Sequence, residues 1–302
     1  MFAKLFAESG LSLDRLKALV EVGASGSIAK ASANDPVRQS QYSRQIKELE
    51  DLFQARLVER HGKGVRLTSS GRELARISRF FLLGLSNFQR GCLNERQTFR
   101  IGASATVIQH LLMPVLATPQ AVQAGPGFAT ETVEPDEIER RLHDLTLDFG
   151  VVAVDTLSRP LQLEQLGSWS LRLWVPAREF RTERAALKAL DQSLLPLAVA
   201  HEVPAEARWM LCRSHEHLSC DSFLDAAAAL GRGGVGAFLP DFLPPAEPSR
   251  ALRVDRPGGG RMVFAYALAW NPRLMRLNVH AGRTRDNLLK NLKRHFHSLA
   301  RC

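Results

Sequence analysis

The sequence predicts an α/β protein that carries a small, all-helical head at its amino terminus. Three observations predict it. An amphipathic stripe with a polar flank lies near residue 45 and is followed by a short basic hairpin. After Arg100, strand-like and helix-like patterns alternate. Charge is divided between the two regions: residues 1–100 hold 17 Lys and Arg against 10 Asp and Glu, whereas residues 101–282 are near −3. A basic head on a slightly acidic body suits a nucleic-acid module joined to a domain with a different task.

The bulk properties set the class. With 302 residues the chain is long enough for two or three domains. A hydrophobic content of 45% and a charged content of 24% describe a globular protein. No apolar run approaches the roughly 18–20 residues needed to cross a bilayer. The opening M-F-A-K-L-F-A-E-S-G is too short in its apolar run for a signal peptide and is interrupted by Glu8. These features place the expected location in the cytoplasm, with no membrane partner. Four cysteines, Cys92, Cys212, Cys220 and Cys302, are too few for a disulfide framework in a chain of this length.

In chain order, Leu13, Leu16, Leu19 and Val20 mark a first helix that ends near Gly23. Ser27 is placed to cap a short Ala-rich helix through Ala33, whose small residues allow a neighbour to approach closely. Asn34-Asp35-Pro36 then forms a turn, with Asp35 as a cap and Pro36 at the first helical position. From there Tyr42, Ile46, Leu49 and Phe53 recur at helical spacing. At about 100° per residue, Ser40, Ser43, Arg44 and Lys47 fall on the opposite flank, and Gln39 sits at the tip. Helix, short helix, tight turn and reading helix is the plan of a helix-turn-helix, in which the last helix enters the major groove.

Leu57-Val58 and Val65-Arg66-Leu67 read as two strands around His61-Gly62-Lys63-Gly64. A hairpin there is a wing, carrying Arg60, Lys63 and Arg66 along the phosphates. Thr68 to about Gln89 reads as a longer helix with Leu74, Ile77, Phe81, Leu85 and Phe88 along one seam. That seam predicts a linker that pairs with its twin in a dimer, and residues 90–97 read as a hinge.

Ile101–Ala103, Phe128–Val133, Phe149–Val154 and Leu171–Val175 are strand-like; Val107–Leu116, Asp136–Leu142 and Ser222–Leu230 are helix-like. Such alternation argues an α/β body with a largely parallel sheet. Ser104 and Thr106 follow the first of these strands, where unpaired amides at a helix start suit a carboxylate. They are the leading ligand contacts, Thr106 serving either in binding or as an N-cap. His201 is a further candidate for the opposite wall.

Other signals are weaker. Gly231 to Gly236 satisfies G-x-G-x-x-G, but an Ala-rich helix precedes it and a strand follows, the reverse of a dinucleotide fingerprint. Cys212, His215, His217 and Cys220 gather two thiols and two imidazoles at a spacing that matches no standard zinc site. No Walker loop, G-x-S-x-G or H-E-x-x-H is present. No cofactor, metal or catalytic residue is therefore expected, and the chain is not read as an enzyme.

The chain resembles the LysR-type transcriptional regulators. The resemblance is carried by Gly26–Ser32 (G-S-I-A-K-A-S), Ser43–Glu50 (S-R-Q-I-K-E-L-E), Leu57–Arg60 (L-V-E-R) and Val65–Gly71 (V-R-L-T-S-S-G), in order and at the family's spacing. Phe99–Ser104, Leu145–Val152 and Gly233–Pro240 extend it more faintly towards the C-terminus. Two departures stand out. Arg38-Gln39-Ser40 occupies the place of the family's usual Ser-Gln-Pro, and Asn34-Asp35-Pro36 lies in the turn where apolar residues are common. Either Asp35 caps the helix or the turn is reshaped.

The resemblance implies a winged helix-turn-helix at 11–70, a dimerising linker and hinge at 71–97, and an effector-binding body at 98–302. It further implies two α/β subdomains like those of a periplasmic binding protein, one at about 98–165 with 265–302 and the other at about 166–264. The implied partners are a double-stranded DNA operator, a small effector with an anionic one favoured by the helix starts, a second copy of the chain in a dimer or tetramer, and RNA polymerase. The DNA-facing set is Gln39, Ser40, Gln41, Ser43, Arg44, Lys47, Arg60 and Lys63; the effector-facing set is Ser104, Thr106 and His201. The alternatives are a non-specific architectural DNA-binding protein, and a redox or metal sensor acting through Cys212 and Cys220.

Overall fold

The computed structural model describes residues 11–62, 64–93, 95–153, 157–204, 207, 215–254 and 263–299. The chain divides into two compact units, Met1–Arg96 with Met275–Val279, and Gln97–Leu274 with His280–Cys302.

The first unit opens with α1 (Leu13–Ser25), capped by the Ser12 side chain and closed by Gly26 in the left-handed region. The short helix α2 (Ile28–Ala31) follows, with Ser27 as its cap. It ends two residues earlier than the composition suggested, because Ala33 and Asn34 both take positive φ and turn the chain sharply. Next come α3 (Pro36–Phe53), the strands β1 (Val58–His61) and β2 (Gly64–Leu67), and α4 (Ser69–Cys92). The last helix runs past Gln89 to Cys92, so the first residues of the expected hinge are helical.

Leu16 and Leu19 of α1, Leu49 of α3, Leu57 before the hairpin and Ala75 of α4 share one core. Burial of each such leucine stabilises the unit by about 2 kcal/mol. Glu50 ties the hairpin to α3, since its carboxylate accepts from the Leu57 N–H at 2.7 Å and the Val58 N–H at 3.2 Å. Thr68 does the same on the other side: its hydroxyl donates to the Arg56 carbonyl and accepts from the Gly71 N–H as the cap of α4.

The second unit begins with β3 (Thr98–Ala103). A helical stretch follows, made of α5 (Ala105–Val107), a π turn (Ile108–Leu112) and α6 (Met113–Leu116). Then come α7 (Pro119–Ala124), β4 (Gly127–Thr132), α8 (Pro135–His143), β5 (Phe149–Ala153) and the long β6 (Gln162–Pro176). The remainder is α9 (Glu183–Asp191), β7 (Pro196–Ala200), β8 (His215–Cys220), α10 (Phe223–Arg232), β9 (Gly236–Pro240), β10 (Ala251–Val254), β11 (Val263–Trp270), α11 (Pro272–Leu277), whose residues from Met275 onward are grouped with the first unit, and α12 (Ala281–Leu299).

Strand order is β4-β3-β5-β11-β6-β9-β7-β8, with β10 also on β6. The body is thus an α/β fold of two halves, each with its own apolar core. One gathers Val133, Ile138, Leu142 and Val152; the other gathers Leu173, Val175, Leu190, Leu197 and Phe238. The sheet is mixed rather than largely parallel. Pairs β3/β4, β3/β5, β7/β8 and β7/β9 are parallel, while β11 and β6 run antiparallel to their neighbours. Strand β6 is bonded to strands of both halves, β11 on one side and β9 and β10 on the other. The glycine-rich stretch begins in the last turn of α10, leaves it through Gly233 and Gly234 at positive φ, and leads into β9; that is a helix end and loop.

Candidate nucleic-acid interface and ligand junction

The helix α3 begins on a strong cap. The Asp35 carboxylate accepts from the Val37 N–H at 2.9 Å and the Arg38 N–H at 3.4 Å, and Pro36 takes the first helical position. Of the two alternatives for the turn, the Asp35 cap is the one that forms. The stripe then seats α3: Ile46 and Leu49 are buried, and the Tyr42 hydroxyl donates to the Glu21 carboxylate on α1. That hydrogen bond, with burial and the Glu21 charge, raises the tyrosine pKa. Phe53, counted in the stripe, is exposed at the last residue of the helix, beyond the edge of the core.

The opposite flank faces outward. Ser40, Gln41, Ser43, Arg44 and Lys47 are exposed, and Gln39 is half-buried at the first turn. Arg44 leans on Glu48 at 3.6 Å, and the other oxygen of Glu48 takes Arg15 of α1 at 2.8 Å. Glu48 was not singled out from the sequence, although the i,i+4 spacing from Arg44 is a readable signal. It gives the guanidinium a fixed base without covering it. In the hairpin, Arg60 is exposed, while Arg66 is held by Glu59 in a paired cross-strand contact. Lys63 at the tip lies outside the described residues. The hairpin is fixed to the start of the motif by the Val65 N–H, which donates to the Gly26 carbonyl at 3.0 Å.

In the second unit the C-terminal ends of β3, β7 and β8 come together. Ser104 caps α5 by position without a side-chain hydrogen bond, and is half-buried. Thr106 is fully buried inside the first turn, so it is not the N-cap. Its hydroxyl instead donates to Glu202 Oε2 at 2.5 Å and its N–H to Glu202 Oε1 at 3.4 Å. The same carboxylate accepts from the Phe223 N–H at 2.7 Å, at the start of α10. Glu202 therefore joins a helix start in one half to a helix start in the other.

His201, its neighbour, does not join them. It is exposed, with Nε2 at 2.9 Å from Ser219 Oγ and Nδ1 at 3.9 Å from Asp221. The cluster around Cys220 is only partly described. Cys220 is buried, Cys212 lies outside the described residues, and among those described no three His, Cys, Asp or Glu side chains gather as metal ligands.

A capped helix with an outward polar flank, a hairpin bound to the motif it follows, and a two-halved α/β body define a winged helix-turn-helix protein with a binding-type second domain. Comparison with known families agrees with the geometry. Residues 13–72 match the bacterial regulatory helix-turn-helix protein model of the lysR family, and residues 94–283 match the LysR substrate binding domain. The chain belongs to the LysR family of bacterial regulatory helix-turn-helix proteins.

Among curated relatives it is similar to the HTH-type transcriptional regulator HdfR of Yersinia pestis, at 25% identity over 166 residues. That match covers 54% of this chain and spans about 57% of the relative's length. Among solved structures it is similar to full-length OxyR from Pseudomonas aeruginosa, with a TM-score of 0.65, 17% identity, and 93% of this chain and 94% of that one covered. It is also similar to full-length LysG from Corynebacterium glutamicum, solved with a bound effector Arg, with a TM-score of 0.63, 14% identity, and 93% and 98% covered. These likenesses carry the fold. Among the described residues no helix is long and apolar enough to cross a membrane.

Proposed function

We propose that the chain is a sequence-specific DNA-binding transcription regulator whose binding is modulated by a small molecule held in the α/β body. The observation that carries this reading is the outward flank of α3, Ser40 to Lys47, presented by a helix whose other side is locked into the core. Gln39, Ser40, Gln41, Ser43, Arg44 and Lys47 are the proposed contacts to base edges and adjacent backbone, and Arg60 and Lys63 the proposed phosphate contacts. The reading places the head at 11–70, the linker at 71–97 and the effector domain at 98–302. Ser104 and Thr106 border the proposed effector site, and His201 lies at its margin.

The test is to map the chain's binding sites genome-wide and then to compete a mapped site against random duplex at fixed salt. Preference for the mapped site by a factor of about 1,000 or more is expected of a specific binder. Equal competition by random duplex would leave only phosphate binding and remove the reading.

The proposed assembly is a dimer through α4. Its outer face shows Ile77, Phe81, Leu85 and Phe88 exposed, Phe88 at 74%, while Ala75 and Ser78 face the core. Four large apolar side chains along one seam of a 24-residue helix suit pairing with a second copy. Changing Phe81 and Phe88 together to glutamate is expected to weaken self-association by at least about 100-fold, since each buried phenylalanine contributes roughly 1.5–3 kcal/mol. Sedimentation equilibrium measures this; an unchanged association constant would place the interface elsewhere.

A further inference from the structure

The two helix starts at the junction of the body already hold an anion, and the chain itself supplies it. Glu202 leaves the end of β7, where the His201 N–H donates to the Cys220 carbonyl and the Val203 N–H to the Ala200 carbonyl, so its backbone is pinned on both sides. Its carboxylate takes the Thr106 hydroxyl and N–H and the Phe223 N–H. These are the donors that a ligand carboxylate would otherwise use. Behind them stands an aromatic wall: the Phe223 ring meets Trp169 edge-on at 6.0 Å, and Tyr266 stacks on Trp169 at 5.3 Å. Tyr266 is buried, and burial together with the Glu202 charge pushes its pKa well above the usual tyrosine range.

We propose that Glu202 is the specificity-determining residue of this junction: it occupies the anion position between α5 and α10, so the ligand presents a neutral or cationic group there and not a carboxylate. This deepens the effector reading of the same site and rests on it. A second carboxylate within about 4 Å of Glu202 would lose on the order of a thousandfold in affinity at an effective dielectric of 20. A cation at the same distance gains from the carboxylate by the same charge argument.

The test uses the purified full chain and acetate as the probe, followed by scanning calorimetry at neutral pH, with sodium chloride matched for ionic strength. Wild type is expected to melt at the same temperature in acetate and in chloride. Glu202→Ala is expected to melt about 5 °C lower, because the Thr106 hydroxyl and the Phe223 N–H lose their acceptor. Acetate, and not chloride, should then restore much of that loss by entering the vacated position. Should the alanine variant fail to fold, Glu202→Ser, which leaves the same space and retains a hydroxyl, is measured in its place with the same expectation.

Stabilisation of wild type by acetate equal to that of the variant, or no acetate effect on the variant that folds, overturns the proposal. Neither readout involves DNA. A chain that shows acetate rescue yet lacks operator preference would lose the regulator reading and keep the assignment of Glu202.

Discussion

Arg44→Ala is expected to weaken binding to a mapped site by roughly 10–100-fold at fixed salt, the loss of 1–3 kcal/mol that accompanies a missing base-edge contact. The side chain is exposed on the outward flank of α3 and leans on Glu48, which is itself anchored to Arg15. It therefore projects from a braced position instead of sampling every rotamer, and less entropy is lost when it binds. Two measurements separate the kinds of contact. If Arg44 reads a base, random duplex loses little affinity, and preference at one position of the site relaxes. If it meets a phosphate, affinity falls evenly across sequences and the salt dependence becomes shallower by about one unit. A variant with wild-type affinity and selectivity would show that the flank of α3 does not enter the groove at this residue. Glu48→Ala, which removes the brace and leaves the cation, should cost far less, because an exposed ion pair contributes about 1 kcal/mol or less.

Gly71→Ala is expected to destabilise the head by about 2 kcal/mol, lowering its melting transition by roughly 10 °C. A Cβ at this position would lie 2.0 Å from the Leu57 carbonyl oxygen and 2.9 Å from its carbon, and both are backbone atoms that cannot rotate away. The change gains up to about 1 kcal/mol of helix propensity, which the clash outweighs. Gly91→Ala, in the same helix, is the control. Nothing lies within 4 Å of its added carbon, so the melting temperature should hold or rise slightly. Equal effects at the two positions would show that the approach of α4 to the Leu57 backbone does not constrain the fold.

The head was legible because its determinants are local. Asp35 and Pro36 stand next to the helix they start, the apolar stripe of α3 has one period, and the two strands of the wing are separated by a pair of residues. What failed there was fine: Ala33 at positive φ has no compositional signature, since alanine ordinarily avoids that region.

In the body, short-range patterns found β3, β5, α8 and α10. They missed most of β6, whose first four residues are exposed and whose first half is recognised as a strand only through its pairing with β11. Glu202 was missed for the same reason. Its partner Thr106 lies 96 residues away, and no window of sequence contains both. A physical signal was available, however. Two helix starts attract an anion, and a carboxylate of the chain itself, at a strand end, is the nearest source of one.

Strand β6 carries a consequence for motion. Residues 162–170 are bonded to β11, and residues 171–176 to β9 and β10, so a single fifteen-residue strand belongs to both halves of the body. Such a member keeps the two halves covalently joined by one strand, while no partner strand spans the step at which its partners change. Relative motion of the halves should therefore concentrate at the step from Ser170 to Leu171, where one set of partners hands over to the other.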